Sequence, residues 1–149
     1  MKEGAGRFFP YNDGVKMQKN EQLELTITDL SEEGLGIGKK DGFVWLVKGA
    51  LIGDRILAQA LKLKKHYGFA RLIELLTPSP DRVEAPCRIA GQCGGCQLQH
   101  LSYSAQLEVK RRQVIDAIER IGGLKDIPVH PVKGMENPWN YRNKMQFPV

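Results

Sequence analysis

Cysteines, aromatic residues and long apolar runs are all scarce in this sequence, and each shortage limits what the protein can be. The chain of 149 residues has three cysteines. Aromatic residues make up 7% of it, which argues against an aromatic-rich binding platform along its whole length. No run reaches the roughly eighteen apolar residues of a membrane span. The polar start MKEGAGRFFPYNDG also lacks the apolar core of a secretory signal. We therefore expect a cytoplasmic protein without membrane association, whose thiols stay reduced.

Positive charge is in excess, and it is unevenly placed. The formal net charge is +5. Residues 48–71 hold one acid, Asp54, among the basic residues Lys48, Arg55, Lys62, Lys64, Lys65 and Arg71. Such a strip favours a polyanion partner, because lysine and arginine neutralise phosphates and release counterions. A solvated lysine-rich turn explains the strip about as well, so charge alone leaves nucleic-acid binding open.

Short alternating segments separated by glycine predict a small β-barrel in residues 20–77. From Gln22 onward apolar and polar residues alternate, as in a half-buried antiparallel strand. The run FVWLV suits a buried strand, and residues 55–63 and 68–76 are interpreted as two more strands. The lysine-rich segment 62–67 joins them, and we call this segment the basic tip. The glycines at 34, 36 and 38 are interpreted as a turn and not a phosphate loop, since Lys39 precedes another lysine instead of Ser or Thr. This pattern indicates a closed barrel of the oligonucleotide-binding (OB) type.

The rest of the chain divides into a leader and a second domain. Residues 1–19 lack periodicity and are interpreted as a flexible leader. Prolines at 78 and 80 predict a linker, after which residues 78–149 are interpreted as the incomplete start of a central α/β domain. An amphipathic helix is expected over 103–121, with Ser102 as its N-cap and a glycine pair as its stop. Strands are expected at 127–132 and at 141–149, where the alternation stops as if the chain were cut.

All the cysteines lie in one stretch, CRIAGQCGGCQLQH (residues 87–100), with the spacing C-x5-C-x2-C and a histidine at its end. Glycines between Cys93 and Cys96 let backbone N–H groups approach sulfur, as a multi-thiolate metal centre requires. Cys87, Cys93, Cys96 and His100 supply a complete Cys3His zinc set, whereas an iron–sulfur cluster normally takes four thiolates. A redox dithiol is disfavoured, because no strand precedes the C-x-x-C, whereas an electron carrier with a reversible redox couple and little RNA affinity is a further hypothesis. The residues alone slightly favour zinc.

The stretch SPDRVEAPCRIAGQCGGCQLQHLSYSAQLEVKRRQV resembles the iron–sulfur segment of bacterial RNA 5-methyluridine methyltransferases. The hallmark of that family is C-x5-C-G-G-C with Gln-His shortly after. The preceding part, with its glycine turn and VKGALIGDRI, looks like a TRAM domain, the small RNA-binding barrel at the N-terminus of many of these enzymes. The late YRNK is similar to a Tyr-Arg-Asn/Arg-Lys segment of the family. The resemblance covers nearly the whole chain beyond the leader and indicates the 23S rRNA type by family association.

The resemblance implies cofactors and roles. Cys87, Cys93 and Cys96 would be three ligands of a 4Fe-4S cluster, with the fourth cysteine further along than this chain extends, and His100 would be a structural or outer residue. The family transfers a methyl group from S-adenosylmethionine to C5 of a uridine that has been extracted from its stack. A cysteine thiolate adds to C6, and a carboxylate removes the C5 proton. None of this machinery carries over to these residues, so we expect a monomeric, catalytically inactive part of such an enzyme that recognises 23S ribosomal RNA.

Candidate RNA contacts come from the basic tip, the strand after it and the end of the chain. The tip and the strand provide side chains able to track phosphates, and two late cations are added by family position and charge. Taken singly, each lysine fits a solvated surface residue equally well. The set is Lys62, Lys64, Lys65, His66, Tyr67, Arg71, Arg142 and Lys144.

Overall fold

A closed five-stranded β-barrel is the main element of the fold. The computed structural model describes residues 19–141. Around the barrel the strands follow the order β1-β2-β3-β5-β4, in which only the β3–β5 pair is parallel. Their bounds are β1 Gln22–Leu30, β2 Leu35–Lys40, β3 Phe43–Lys48, β4 Arg55–Leu63 and β5 Tyr67–Thr77. The predicted OB-like barrel is confirmed.

The barrel core is built by the alternation seen in the sequence. Leu23, Leu25 and Ile27 of β1 are at most 2% exposed, while the residues between them face solvent. Trp45 and Val47 of β3 are buried to the same degree. Because successive side chains of a strand point to opposite faces, each strand supplies the core with one face and leaves the other for contacts.

Two of the glycines assigned to a turn lie inside β2, so the predicted turn over 34–38 is wrong in extent. Gly34 does belong to the turn, with a φ of +76° that glycine adopts without steric penalty. Gly36 is a strand residue, and a Cβ there would lie 2.7 Å from the carbonyl oxygen of Ala50. Glycine is required at this position because neighbouring backbone passes too close for a side chain.

Residues 78–101 group with the barrel. The chain divides into two compact units, 1–101 and 102–149, whereas the sequence predicted a boundary after residue 77. The proline-rich stretch is held in place: Ser79 is 4% exposed, and its N–H donates to the Asp54 carboxylate at 2.8 Å. Within its described residues, this unit has one short helix, α1 (Ala90–Cys93).

The second unit is helical over much of its described part. Helix α2 (Tyr103–Asp116) continues into a π-helical segment, Ala117–Ile121. The Ser102 hydroxyl caps α2 by accepting a hydrogen bond from the Ala105 N–H, which confirms the predicted helix and its N-cap. No residue of either segment is fully buried. No helix within residues 19–141 is long and apolar enough to cross a membrane.

The predicted strand at 127–132 is wrong, since residues 122–141 contain no strand. This segment instead contacts α2: Arg111 Nε donates to the Val129 carbonyl at 3.1 Å, and the Met135 N–H donates to Tyr103 Oη at 2.8 Å. Prolines at 128 and 131 remove backbone donors that a strand pair would need. The alternation at 142–149 and the predicted leader up to residue 18 lie outside the described residues.

Replacing Gly36 by alanine is expected to lower the free energy of unfolding by about 1–3 kcal/mol, because the new methyl group meets backbone that cannot move aside. Urea unfolding followed by circular dichroism measures it. Gly91→Ala is the matched control, since no atom lies within 4 Å of its Cβ position, and its effect should stay within about 0.5 kcal/mol. Equal stability of the two variants would contradict the close approach at residue 36.

Candidate nucleic-acid interface and cysteine loop

The basic tip between β4 and β5 is a tight, exposed hairpin. The Lys64 N–H donates to the Tyr67 carbonyl at 2.8 Å and closes the turn. Lys62, Lys64, Lys65 and His66 are all exposed. None of them forms an ion pair within the part of the chain that the structure describes. The lysine charges are therefore available to neutralise an anion, as phosphate contacts require.

Arg71 lies apart from the tip, four residues beyond Tyr67 on β5. Its Nη2 donates to the Gln59 side-chain oxygen at 2.9 Å, across the β4–β5 pair. This bond holds the guanidinium against the barrel wall, yet Arg71 remains exposed and keeps further donors for a ligand. The two other predicted cations, Arg142 and Lys144, lie outside the described residues.

Two cations that the sequence patterns did not single out lie beside the tip. Lys39 and Lys40 end β2, and the register pairs Lys39 with Val44 of β3 and Val44 with Tyr67 of β5. The β2–β3 turn, which includes Asp41, therefore shares one end of the barrel with the β4–β5 hairpin. The two adjacent lysines are visible in the sequence, but only the register shows where they lie. We define the basic end as Lys39, Lys40, Lys62, Lys64, Lys65 and His66.

The cysteines occupy a closed loop, residues 83–100, which we call the cysteine loop. At its neck the Val83 N–H donates to the His100 carbonyl at 3.0 Å. Next to this bond Arg82 and Leu101 form an antiparallel bridge. Because its two ends are fixed to each other, the loop is a compact lobe of the barrel unit.

Three free thiols lie in the cysteine loop, with Cys93 and Cys96 exposed and Cys87 half-buried. Gly94 ends α1 directly after Cys93 with a φ of 70°, a conformation that glycine favours. A Cβ at Gly95 would lie 3.4 Å from Cys93 Sγ, so glycine leaves the space beside this sulfur open. The donors thus suit a thiolate-bound metal or cluster. They are not gathered, since residues 19–141 contain no group of three or more His, Cys, Asp or Glu placed to hold a metal.

His100 does not converge with the cysteines. Its Nε2 is buried without a hydrogen-bond partner, and its imidazole lies near Asp54, Arg82 and the carbonyl of Gly49. Burial lowers the pKa of His100, and the positive charge of Arg82 lowers it further, outweighing the opposite effects of Asp54 and the Gly49 hydrogen bond. The side chain is therefore a neutral group packed at the end of the barrel. The four members of a Cys3His set are not brought together.

A buried ion pair fixes the neck of the cysteine loop to the barrel. Asp54 is fully buried, and its carboxylate accepts from the N–H groups of Ser79 and Leu51 and from two nitrogens of Arg82. Arg82 also donates to the Gly49 carbonyl at 2.9 Å. Burial by itself raises the pKa of Asp54, but the Arg82 and backbone hydrogen bonds outweigh it and hold the pKa below its usual value. Sequence patterns showed Asp54 only as the lone acid of a basic strip.

The basic end and the cysteine loop lie at opposite ends of β5. In the antiparallel β4–β5 pair, Leu63 is opposite Gly68 near the tip, and Arg55 is opposite Thr77 at the far end. Asp54, which binds Arg82 at the neck of the cysteine loop, immediately precedes Arg55. The eleven residues of β5 extend about 30 Å, so a ligand that contacts both sites has to run along the barrel.

Residues 16–73 match the TRAM domain family. The match begins just before β1 and ends within β5, so it covers nearly the whole of the closed barrel described above. The barrel is thus the part of the chain that is similar to TRAM domains.

Longer relatives match most of this chain. Proteins named uncharacterized RNA methyltransferase from Halalkalibacterium halodurans and Listeria monocytogenes serotype 4b are each 51% identical over 133 residues, which are 89% of this chain and 29% of each relative. A protein of the same name from Clostridium tetani is 46% identical over 135 residues, 91% of this chain and 29% of its own length. The chain is thus homologous to proteins named RNA methyltransferases and spans under a third of their length.

Among the solved structures similar to this chain is the tRNA (uracil-54, C5)-methyltransferase of Pyrococcus abyssi in complex with S-adenosyl-L-homocysteine, which is 34% identical. The similarity covers 68% of this chain and 21% of that protein, with a TM-score of 0.46.

Replacing Asp54 by asparagine is expected to lower the free energy of unfolding by about 3 kcal/mol, because Arg82 then loses its carboxylate partner at a buried site. Denaturant titration measures the change. Glu24→Gln is the matched control: it removes a solvent-exposed pair with Arg55 and should change the free energy by less than about 1 kcal/mol. Similar effects of the two substitutions would contradict the anchoring role.

The same pair predicts a pH dependence. Since the pKa of Asp54 in the folded protein lies below its ordinary value of 3.8, the carboxylate stabilises the fold above that pH. This stabilisation is lost as the pH falls from 3.8 through the folded-state pKa. The stability difference between the wild type and Asp54→Asn should therefore shrink in acid. A difference that stays constant on acidification would show that the ionised carboxylate is not the stabilising group.

Proposed function

We propose that this chain binds RNA through the basic end of its barrel, as the recognition part of an RNA methyltransferase. The observation that carries the proposal is the meeting of two hairpins whose lysines are exposed and form no ion pair among the described residues. The TRAM match and the names of the relatives support it. Contacts of this kind neutralise phosphates and position the RNA without reading its sequence.

The proposed enzyme transfers a methyl group from S-adenosylmethionine to C5 of a uridine in 23S rRNA. Support comes from the C-x5-C-G-G-C motif of residues 87–96, followed by Gln99 and His100. Methyl transfer is assigned to the larger part of the relatives that this chain does not span. The three cysteines of the chain lie in the cysteine loop, so none is assigned as the nucleophile. We propose a monomer that works in the cytoplasm, where these thiols stay reduced.

Cys87, Cys93 and Cys96 are proposed to bind a 4Fe-4S cluster, with a fourth thiolate from outside this chain. Exposed free thiols and the open space beside Cys93 Sγ support this assignment. When bound, the cluster would cross-link the loop and contribute to its folding free energy. The alternative is a zinc-bound Cys3His RNA-binding module. It is less well supported, because the His100 imidazole packs beside Gly49 and the Asp54–Arg82 ion pair and does not converge with the cysteines.

Replacing Lys62, Lys64 and Lys65 together by alanine is expected to weaken RNA binding and to flatten its salt dependence. Each phosphate contact contributes about −0.7 to the slope of log K against log salt for a single strand, so the slope should become less negative by about 2. Fluorescence anisotropy with labelled RNA at several salt concentrations measures both quantities. The control variant replaces three exposed lysines of the other unit, Lys110, Lys125 and Lys133. An equal loss in both variants would place the RNA contacts elsewhere.

Metal analysis tests the cluster. The natural protein, isolated without air, is expected to be brown and to contain iron and sulfide. Cys93→Ser should lose both, because it removes a proposed ligand, whereas His100→Asn should retain them. One zinc ion per chain that is lost in His100→Asn would instead establish the Cys3His site.

A further inference from the structure

Residues 97–100, which we call the return arm, follow the last thiol of the cysteine loop and lead back to its neck. A Cβ at Gly34, in the β1–β2 turn, would lie 3.0 Å from Gln97 Cβ and 3.3 Å from Leu98 Cδ2, so the start of the arm packs directly on this turn. At the end of the arm, the His100 carbonyl accepts the hydrogen bond that closes the neck. The return arm is therefore held at both of its ends.

Gln99 extends from the return arm to the segment that carries the first cysteine. Its side-chain oxygen accepts a hydrogen bond from the Cys87 N–H at 3.3 Å, across 12 positions of the chain. Both residues are half-buried, so water competes for this bond less than it would at an exposed site. The bond links the backbone of Cys87 to an arm that is itself held in place.

The two other cysteines lie on a more open part of the loop. Cys93 and Cys96 are both exposed, with two glycines between them. No atom lies within 4 Å of a Cβ position at Gly94, and glycine restrains the backbone less than any other residue. This turn therefore has room to change its conformation around a metal. The three thiols thus consist of one whose backbone is held, at Cys87, and two on an adaptable turn.

We propose that Gln99 is a positioning residue of the thiolate centre, which holds Cys87 where its sulfur can join the other two thiolates. This inference rests on the proposed metal binding and names a residue on which that binding depends. Groups that hydrogen-bond to metal-binding residues orient them, and their loss lowers metal affinity. Gln99 acts through the backbone of Cys87 and is not itself a ligand.

Iron release from the chain of 149 residues tests this role. The cluster is reconstituted without air from iron and sulfide, with a small added thiol in place of the fourth thiolate, and a chelator then removes the iron. Gln99→Leu should lose iron at least about tenfold faster than the wild type, because the Cys87 segment is no longer held. Gln99→Glu keeps an oxygen acceptor on a side chain of the same length and should restore the wild-type rate. Gln92→Leu, at an exposed position of α1 in the same loop, is the matched control.

Two measurements on the metal-free protein separate positioning from folding. Gln99→Leu should unfold at the same urea concentration as the wild type, and a lower midpoint would overturn the role by making Gln99 a general part of the fold. Amide exchange of the wild type, followed by NMR, needs no variant. The Cys87 N–H should exchange several times more slowly than the Arg88 N–H, which has no acceptor among the described residues. Equal exchange of the two amides would overturn the hydrogen bond and the role built on it.

The outcomes separate this inference from the proposed function. A wild-type rate of iron release in Gln99→Leu would overturn the role of Gln99 and leave the cluster intact. Faster release that Gln99→Glu does not restore, or that Gln92→Leu shows equally, would also overturn it, since the loss would not depend on the acceptor. If the wild type took up neither iron nor sulfide, the proposed cluster and the role of Gln99 would both fail.

Discussion

The buried carboxylate of Asp54 organises the part of the chain that follows the barrel. Its two oxygens accept hydrogen bonds from the connection before β4, from Ser79 after β5 and from the Arg82 guanidinium. An unpaired carboxylate at such a site would be strongly disfavoured by desolvation, whereas these donors keep it ionised. Because the cysteine loop begins directly after Arg82, this ion pair helps to fix the loop to the barrel.

The two sides of the barrel wall have separate roles. On the inside, Gly68 of β5 leaves room for Trp45, because a Cβ at Gly68 would lie only 2.6 Å from its ring. Closure of the sheet turns the side chains that alternate with the buried residues outward, where cations collect without disturbing the core. The barrel thereby separates the basic end from the thiols, so the proposed RNA contact and the proposed metal binding need not share residues.

Much of the architecture was predictable because it depends on neighbours in sequence. Alternation around Leu25 predicted a half-buried strand, and Ser102 predicted a helix start. The predictions that failed concern residues whose environment is set by groups far away in the sequence. Gly36 is a strand residue because Ala50 passes close to it, and Ser79 is buried because Asp54 binds its N–H. Neither partner can be recognised from the local pattern.

By itself, the sequence determined the strand periodicity, the spacing of the thiols and the run of lysines in one hairpin, because each of these is set within a few consecutive residues. The tertiary structure alone decided that Lys39 and Tyr67 lie on either side of Val44 in the same row of the sheet. It also decided that Arg82 donates to Asp54, which lies 28 positions earlier. Those contacts come from closure of the barrel, which joins strands that are not consecutive and buries a charge together with its partner. The intrinsic preferences of neighbouring residues do not specify which distant strands pair.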